Sequence, residues 1–263
     1  NEFLINEMLD FGAGAYPVLL DENQDGLLDL LVGNSGENIN GNQIGKLALL
    51  RNIGTIGNPA FELINDDYLN LSNNNLRYIY PAVGDIDGDG DNDLFIGLEN
   101  GKIAYYNNTA GFGNPSKFIL ADGSYNSIDA GNFSAPQLFD VNDDLLIDLI
   151  IGQQDGSITF YPNQGTTSNA IFNIEVKNFG GITTKDFSAG AFYGFSTPHF
   201  FKDLGITRIL VGSEDGSIYY YKNKDSLQMG NIILTNKDFA GTKDGSRSSV
   251  ITHDLNNDNY LDL

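Results

Sequence analysis

Four short stretches of the chain carry acidic side chains at a spacing that could bind a metal ion. They read DENQDGLLD at 21–29, DIDGDGDND at 85–93, DVNDDLLID at 140–148 and DLNNDNYLD at 254–262. An aspartate or asparagine occupies positions 1, 3, 5 and 9 of each stretch, and position 7 can add a backbone carbonyl. Oxygens at alternate positions of a tight loop converge on one point. Six or seven hard oxygen ligands suit Ca²⁺ better than octahedral Mg²⁺ or a softer metal.

The sequence therefore predicts up to four structural calcium sites, one in each acidic loop. The predicted ligands are Asp21, Asn23, Asp25, Leu27 and Asp29; Asp85, Asp87, Asp89, Asp91 and Asp93; Asp140, Asn142, Asp144, Leu146 and Asp148; and Asp254, Asn256, Asp258, Tyr260 and Asp262, the fourth of each set through its carbonyl. Solvated aspartate-rich turns are the alternative interpretation, and the presence of an aspartate at position 9 in all four copies argues against it. An EF-hand would need a bidentate glutamate at position 12, where the first three copies have Val32, Ile96 and Ile151.

A degenerate copy, HFFKDLGITRILVG at 199–212, keeps the apolar run and the glycine but loses the acidic loop. Aligned on the shared glycine, it has Phe200 in place of Asp140, Lys202 in place of Asn142 and Arg208 in place of Asp148. Two carboxylates are lost and two cations appear, so the sequence predicts no ion in this copy.

The elements that position these loops recur with a period of 54–64 residues by the spacing of the copies. Each period holds four short apolar runs separated by turns rich in glycine and asparagine, which predicts an all-β propeller of four-stranded antiparallel blades. The predicted units are the end of a preceding blade at 1–14, blades at 15–76, 77–133 and 134–195, a degenerate blade at 196–248, and the start of a further blade at 249–263. Four to five blades would be visible, and further blades of the same chain are expected to close the ring.

The composition limits the partners of the chain. Its 263 residues carry a formal charge of −21, from 35 acidic and 14 basic residues, which disfavours nucleic acid and anionic lipid as partners. There is no cysteine, which excludes disulfides and thiolate chemistry. No apolar run approaches 18 residues, so no membrane insertion is expected.

Signals for catalysis are weak, and the chain is not predicted to be an enzyme. The two histidines, His199 and His253, are interpreted as structural, and no nucleophile-elbow, HExxH or P-loop motif occurs. The aromatic pairs of the third strands, such as Tyr105–Tyr106, are expected to pack between blades. The longer loops 34–43 and 180–194 are the candidate ligand surfaces, and the second carries the weak ligand-binding candidates Phe187, Phe192, Tyr193 and Phe195.

The acidic loop, the L-x-x-G strand and the following G-x-x-x-x-Y strand resemble FG-GAP/VCBS repeats, as in the integrin α-subunit head, over the whole of 1–263. The resemblance implies a seven-bladed propeller with Ca²⁺ in the hairpin between the first two strands of a blade. The stretches AYPVLLDENQDGLLDLLVG and LALLRNIGTIGNPAFELI are most similar to secreted VCBS proteins of gliding Bacteroidota, which are exported by the type IX system. This implies an extracellular or cell-surface location and contact with the secretion machinery.

Two functions follow from these expectations. The first is a calcium-stabilised surface propeller that acts as an interaction or adhesion scaffold for a protein or glycan partner. The alternative is a lectin-like or polysaccharide-processing module attached to a catalytic domain outside this sequence.

Overall fold

The computed structural model describes residues 11–189, 192–223, 232–241 and 246–263, and these residues form an all-β fold. Four antiparallel sheets follow one another along the chain as the blades of a β-propeller. Each sheet lies within one predicted repeat, so the predicted fold class is confirmed. Most of the predicted strand at 1–14 lies outside the described residues.

The strands and turns have the following bounds. Blade 1 and its hairpin contain β1 (Tyr16–Leu20), β2 (Asp29–Gly33), β3 (Glu37–Ile39), β4 (Asn42–Ile44), β5 (Leu47–Asn52) and β6 (Phe61–Asn65). Blade 2 contains β7 (Tyr80–Gly84), β8 (Asp93–Gly97), β9 (Ile103–Asn108) and β10 (Phe118–Asp122), and blade 3 contains β11 (Ser134–Phe139), β12 (Asp148–Gln153) and β13 (Ile158–Tyr161). Blade 4 contains β14 (Thr197–Asp203), β15 (Ile206–Gly212), β16 (Ile218–Asn223) and β17 (Ile232–Asn236). Short 3-10 turns occupy Tyr68–Asn74, Tyr125–Ser127, Phe179–Gly181, Phe187–Ala189 and Phe239–Gly241.

Strands within each sheet pair in chain order, β1-β2-β5-β6 in blade 1 and without interruption in the others. The skipped strands β3 and β4 form a separate hairpin where the sequence predicts a loop at 34–43. Its turn residues Asn40 and Gly41 have φ of 53° and 87°. An Asn-Gly pair with two positive φ values is the favoured two-residue hairpin turn. The sequence therefore contained a hairpin signal that the prediction of a loop did not use.

Blade 3 has no regular fourth strand among the described residues. The sequence predicts one that opens at Phe172, but the structure has only a bridge in which Phe160 and Val176 exchange amide-to-carbonyl hydrogen bonds of 3.0 and 2.9 Å. Pro162 follows β13 where blade 1 has Arg51, which pairs with the fourth strand. Proline has no N–H to donate to a neighbouring strand, so regular pairing stops there.

Apolar side chains fill the spaces between successive blades. The three inter-blade clusters include Leu31, Leu49, Leu94 and Tyr106; Phe95, Ile103, Leu149 and Tyr161; and Ile150, Phe160, Phe200, Ile209 and Tyr221. Each fully buried side chain of this size contributes about 1.5–3 kcal/mol to folding. Tyr106, Tyr161 and Tyr221 are at most 8% exposed, which confirms that these third-strand aromatics pack between blades.

A glycine at the end of the second strand lets each blade approach the next. A Cβ on Gly97 would lie 2.2 Å from the carbonyl oxygen of Ser134, and a Cβ on Gly212 would lie 2.1 Å from that of Ser248. Only glycine fits at these positions. Ser134 begins the first strand of blade 3, so Ser248 marks the same point of a fifth unit.

The fifth unit, residues 246–263, lies between blade 4 and blade 1. On the blade 4 side, Nε2 of His199 lies 2.9 Å from Oγ1 of Thr252 and accepts a 3.1 Å hydrogen bond from the Thr252 amide. On the blade 1 side, a Cβ on Gly57 would lie 2.9 Å from the carbonyl oxygen of Asn256. The described residues therefore form a ring with five positions.

The closing contact repeats one found inside the ring. A Cβ on Gly88, in the acidic loop of blade 2, would lie 2.6 Å from the carbonyl oxygen of Thr167 in blade 3. In the same way, the acidic loop of the fifth unit contacts the turn after the third strand of blade 1. This arrangement differs from the expectation that further blades close the ring, seven in all by the resemblance, because the fifth unit already contacts both of its neighbours.

The first strands of the four blades and residues 249–251 line a common cavity of about 130 Å³ at the centre of the ring, and we call them the inner strands. The residues one or two positions before the inner strands, Gly14, Tyr78, Phe133, Phe195 and Arg247, all have positive φ. Four of them form, with Tyr16 and Tyr80, a cluster that we call the plug. Acidic loops follow the inner strands and the plug precedes them, so the loop face and the plug face are opposite sides of the disc, about 17 Å apart.

Candidate metal centre on the loop face

The acidic loop of blade 2 brings three carboxylates together. Oxygens of Asp85, Asp87 and Asp89 lie within 4.8 Å of one another, and this is the one such group among the described residues. Nδ2 of Asn107 on β9 donates a 2.8 Å hydrogen bond to Asp87 and so orients its carboxylate. Three carboxylate oxygens at this separation form a hard, anionic donor set of the kind that Ca²⁺ prefers.

Asp91 adds a buried carboxylate to the same loop. The residue is 4% exposed, and its Oδ1 has no hydrogen-bond partner among the described residues. Its Oδ2 accepts a 2.7 Å hydrogen bond from the Gly111 amide. Burial, and secondarily the nearby carboxylate of Asp89, raises the pKa of the Asp91 carboxyl to about 6. A buried carboxylate oxygen without a donor is what a cation site requires. The sequence predicts only the backbone carbonyl of this residue as a ligand.

The aspartate at position 9 connects the loop to the third strand. Asp93 is fully buried, and its two oxygens accept hydrogen bonds from the amides of Ile86 at 3.4 Å and Asn108 at 2.8 Å. Burial raises its pKa to about 7. Asp148 accepts equivalent bonds from Val141 and Asn163 at 3.0 and 2.8 Å, and burial raises its pKa to about 6. These carboxylates are structural as well as candidate ligands.

The remaining loops share with the second the positive φ values at positions 4 and 6, but they differ from it at position 3 and in one amide donor to the first carboxylate, which is Gly88 at position 4 in the second loop. The first-position carboxylate accepts amide hydrogen bonds from positions 5 and 6, as Asp21 does at 3.1 and 2.9 Å and Asp140 does at 3.2 and 2.9 Å. Position 3 is asparagine, and in the first and third loops its Nδ2 donates to the carboxylate at position 5, with distances of 2.8 Å from Asn23 and 2.9 Å from Asn142. A calcium ion would require this amide to turn its oxygen inward.

The structure places the predicted ligands of all four loops in matching positions. The amides at position 7, those of Leu27, Asp91, Leu146 and Tyr260, donate to the carboxylates at position 5, namely Asp25, Asp89, Asp144 and Asp258. In the fourth loop, Asp254 accepts hydrogen bonds from the amides of Asp258 and Asn259 at 3.0 and 2.8 Å, and Asp262 accepts one from the amide of Leu255 at 2.9 Å. Coordination by the position 7 carbonyls stays a prediction.

The degenerate blade differs from the alignment made on sequence. In blade 3 Phe139 pairs with Asp148, and in blade 4 Phe201 pairs with Arg208. Arg208 does stand at the ninth position, but Lys202 corresponds to the first position rather than the third, because the connection is two residues shorter.

Ion pairs replace the acidic cluster in the degenerate blade. Arg208 lies 3.3 Å from Asp203, and Nζ of Lys202 lies 2.6 Å from Oδ1 of Asp143 in the acidic loop of blade 3. The cations of this blade are therefore held by neighbouring carboxylates.

The predicted aromatic ligand surface is divided by the structure. Phe187, Phe192 and Tyr193 are 69%, 66% and 55% exposed, whereas Phe195 is 5% exposed and packs in the plug. Phe195 is therefore not exposed on this surface, unlike the other three candidates. Its φ is 47°, and its ring packs against Arg247 in the plug.

Sequence reasoning missed a second candidate site on the plug face. Arg77, Tyr78 and Arg247 line a cavity of about 510 Å³. The guanidinium carbons of Arg77 and Arg247 lie 5.1 and 4.9 Å from the centre of the Tyr78 ring. The available signal was positional, since Tyr78 and Arg247 both stand two residues before an inner strand.

The fold defines this chain as a β-propeller. No family model matches the chain, and a search of curated proteins finds no match either. Among the described residues, no helix is long and apolar enough to cross a membrane.

Proposed function

We propose that the chain is a calcium-stabilised propeller that acts as an interaction or adhesion scaffold outside the cell or on its surface. The observation that carries the proposal is the second acidic loop, where three carboxylates converge beside the buried Oδ1 of Asp91, which has no partner among the described residues. Charges packed so closely repel one another unless a cation is bound.

The proposed location follows from the affinity expected of such loops. Extracellular calcium modules bind with a Kd of roughly 10⁻⁴–10⁻³ M, which is useful only where calcium is abundant. The resemblance to FG-GAP/VCBS repeats and to type IX-exported proteins supports the same location. The proposal includes no catalytic role and no cofactor other than structural calcium.

Terbium luminescence tests the calcium part of the proposal, because Tb³⁺ replaces Ca²⁺ and is excited through nearby tyrosines. Tyr105 lies beside the second loop, where its hydroxyl accepts a 3.1 Å hydrogen bond from Nδ2 of Asn107. We expect calcium-displaceable emission that falls in Tyr105→Phe. The matched control is Tyr106→Phe on the same strand, whose side chain packs in the core between blades 1 and 2. Emission that calcium cannot displace would reject the site.

Carbohydrate binding is a second candidate function, favoured by the exposed aromatics Phe187, Phe192 and Tyr193 in one segment. Aromatic side chains with large exposed faces can stack on the C–H faces of sugars. A glycan array probed with the folded propeller separates the two candidates. Binding to a defined glycan class would favour the second function, and uniform silence from a folded sample would favour the scaffold.

A further inference from the structure

The plug face concentrates positive charge in a strongly acidic protein. The chain has 14 basic residues against 35 acidic ones, yet two arginines flank one tyrosine at the centre of this face. The guanidinium carbons of Arg77 and Arg247 lie 5.1 and 4.9 Å from the Tyr78 ring centre, and hence no more than 10 Å apart. Like charges this close favour a bound anion.

Both arginines have capacity to bind a ligand. Arg247 has no ion pair with any described residue, and its guanidinium lies 4.0 Å from the ring centre of Phe195. Arg77 contacts Glu99 at 3.5 Å through Nη1, while its buried Nε has no hydrogen-bond partner among the described residues. A planar guanidinium with free donors is well suited to a carboxylate.

The rest of the cavity offers neutral and acidic hydrogen-bonding groups. Ser35 and Gln43 line it together with Glu214, whose Oε2 accepts the amides of Tyr193 and Gly194 at 3.0 and 3.2 Å. A fixed carboxylate opposes a doubly charged anion such as phosphate but accepts hydrogen bonds from hydroxyl groups. The exposed ring of Tyr193 lies beside the plug, 6.0 Å from that of Phe195.

We propose that this cavity binds the carboxylate of an acidic sugar, a uronic acid within a glycan. The two arginines would bind the carboxylate, Glu214 would accept sugar hydroxyls, and Tyr193 would contact the ring. The cavity of about 510 Å³ lies within the usual range for small ligands. The acidic loops are on the opposite face, about 17 Å away, beyond the screening length of about 8 Å at physiological salt. This inference rests on the second candidate function, carbohydrate binding.

Calorimetric titration of the full chain tests the inference. The probes are a galacturonic acid trisaccharide and its methyl ester, which keeps the rings and removes the charge. We expect the acid to bind at least about tenfold more tightly than the ester, as for loss of a charge-assisted hydrogen bond. We expect a similar loss of acid binding in Arg77→Gln and Arg247→Gln. The matched control is Arg208→Gln, whose arginine pairs with Asp203 in blade 4.

The outcomes separate this inference from carbohydrate binding in general. Equal binding of acid and ester would overturn the acidic-sugar assignment and leave carbohydrate binding standing. No binding of either would overturn the assignment, and the glycan array would then decide whether carbohydrate binding is rejected as well. Unchanged affinity in a folded Arg77→Gln protein would also overturn the assignment, and the 41% exposure of this side chain makes the variant tolerable. Equally tight binding of an acetylated tripeptide through its terminal carboxylate would overturn the choice of a sugar.

Discussion

The acidic loop of blade 2 and the short turn of blade 4 connect the same two strands in equivalent blades. The loop gathers Asp85, Asp87 and Asp89, whereas the turn consists of Leu204 and Gly205, with positive φ values of 49° and 77°. Both blades still form four-stranded sheets with buried faces. The comparison shows that the blade fold does not require the acidic loop, so the carboxylates serve another purpose.

The ninth position of the loop should show the largest difference in stability between a blade with an acidic loop and blade 4. Asp148→Ala leaves the buried amides of Val141 and Asn163 without acceptors, at about 1–3 kcal/mol each. Arg208→Ala, at the matching place in blade 4, removes a partly exposed ion pair and should cost less than about 1 kcal/mol. Urea unfolding in EGTA measures both. Equal losses would contradict the distinction between the two blades.

Loss of the proposed calcium site in the acidic loop of blade 2 should have the next largest effect. In Asp85→Asn/Asp87→Asn/Asp89→Asn, the stabilisation by calcium should fall by about 2.7 kcal/mol at a hundred times Kd. The control Glu62→Gln, on an exposed strand, should leave the calcium effect unchanged. Unfolding curves with and without calcium provide the measurement, and an undiminished calcium effect in the triple variant would remove this loop from the account.

The pH dependence of stability in the calcium-free protein should report the buried aspartates at position 9, which blade 4 lacks. Burial raises the pKa of Asp93 to about 7 and that of Asp148 to about 6, above the unfolded value near 4. The folded state then holds more protons than the unfolded state, so stability should decrease as pH rises from about 4 to 7. Bound calcium should weaken this decrease. Unfolding in EGTA across this range tests the sign, and rising stability would contradict it.

Loss of the ion pair between blade 4 and the acidic loop of blade 3 should have the smallest effect. Lys202→Met removes the 2.6 Å ion pair with Asp143, whose side chains are 33% and 68% exposed. Exposed pairs of this kind contribute about 0–1 kcal/mol and weaken with salt. Thermal unfolding at low and high salt should show a small difference that vanishes at high salt. A loss above about 2 kcal/mol would mean that the pair anchors the blade 3 loop.

The sequence was sufficient for the features that repeat along the chain. The spacing of Asp21, Asp85 and Asp140 predicted the blades, because each copy carries the same strand and loop signals. The alignment of Lys202 failed by two residues because the glycine fixes only one end of a shortened loop. The missing fourth strand of blade 3 depended on Pro162, whose effect on pairing becomes evident only beside its neighbouring strand.

The plug could not be predicted because it depends on contacts between units distant in sequence. Tyr78, Phe195 and Arg247 meet only when five units surround one axis. Their positive φ values turn the side chains inward, and an arginine or aromatic residue carries no sequence signal for that conformation. The same reason explains why Phe195 was assigned to the surface.

The most direct test of the account is the thermal unfolding of the unmodified chain in millimolar calcium and in EGTA. We expect a higher unfolding temperature in calcium, with up to about 2.7 kcal/mol for each site occupied at a hundred times Kd. Magnesium at the same concentration should have a smaller effect, because it prefers octahedral sites that retain water. Coincident unfolding curves in calcium and EGTA would contradict the central claim that the acidic loops bind structural calcium.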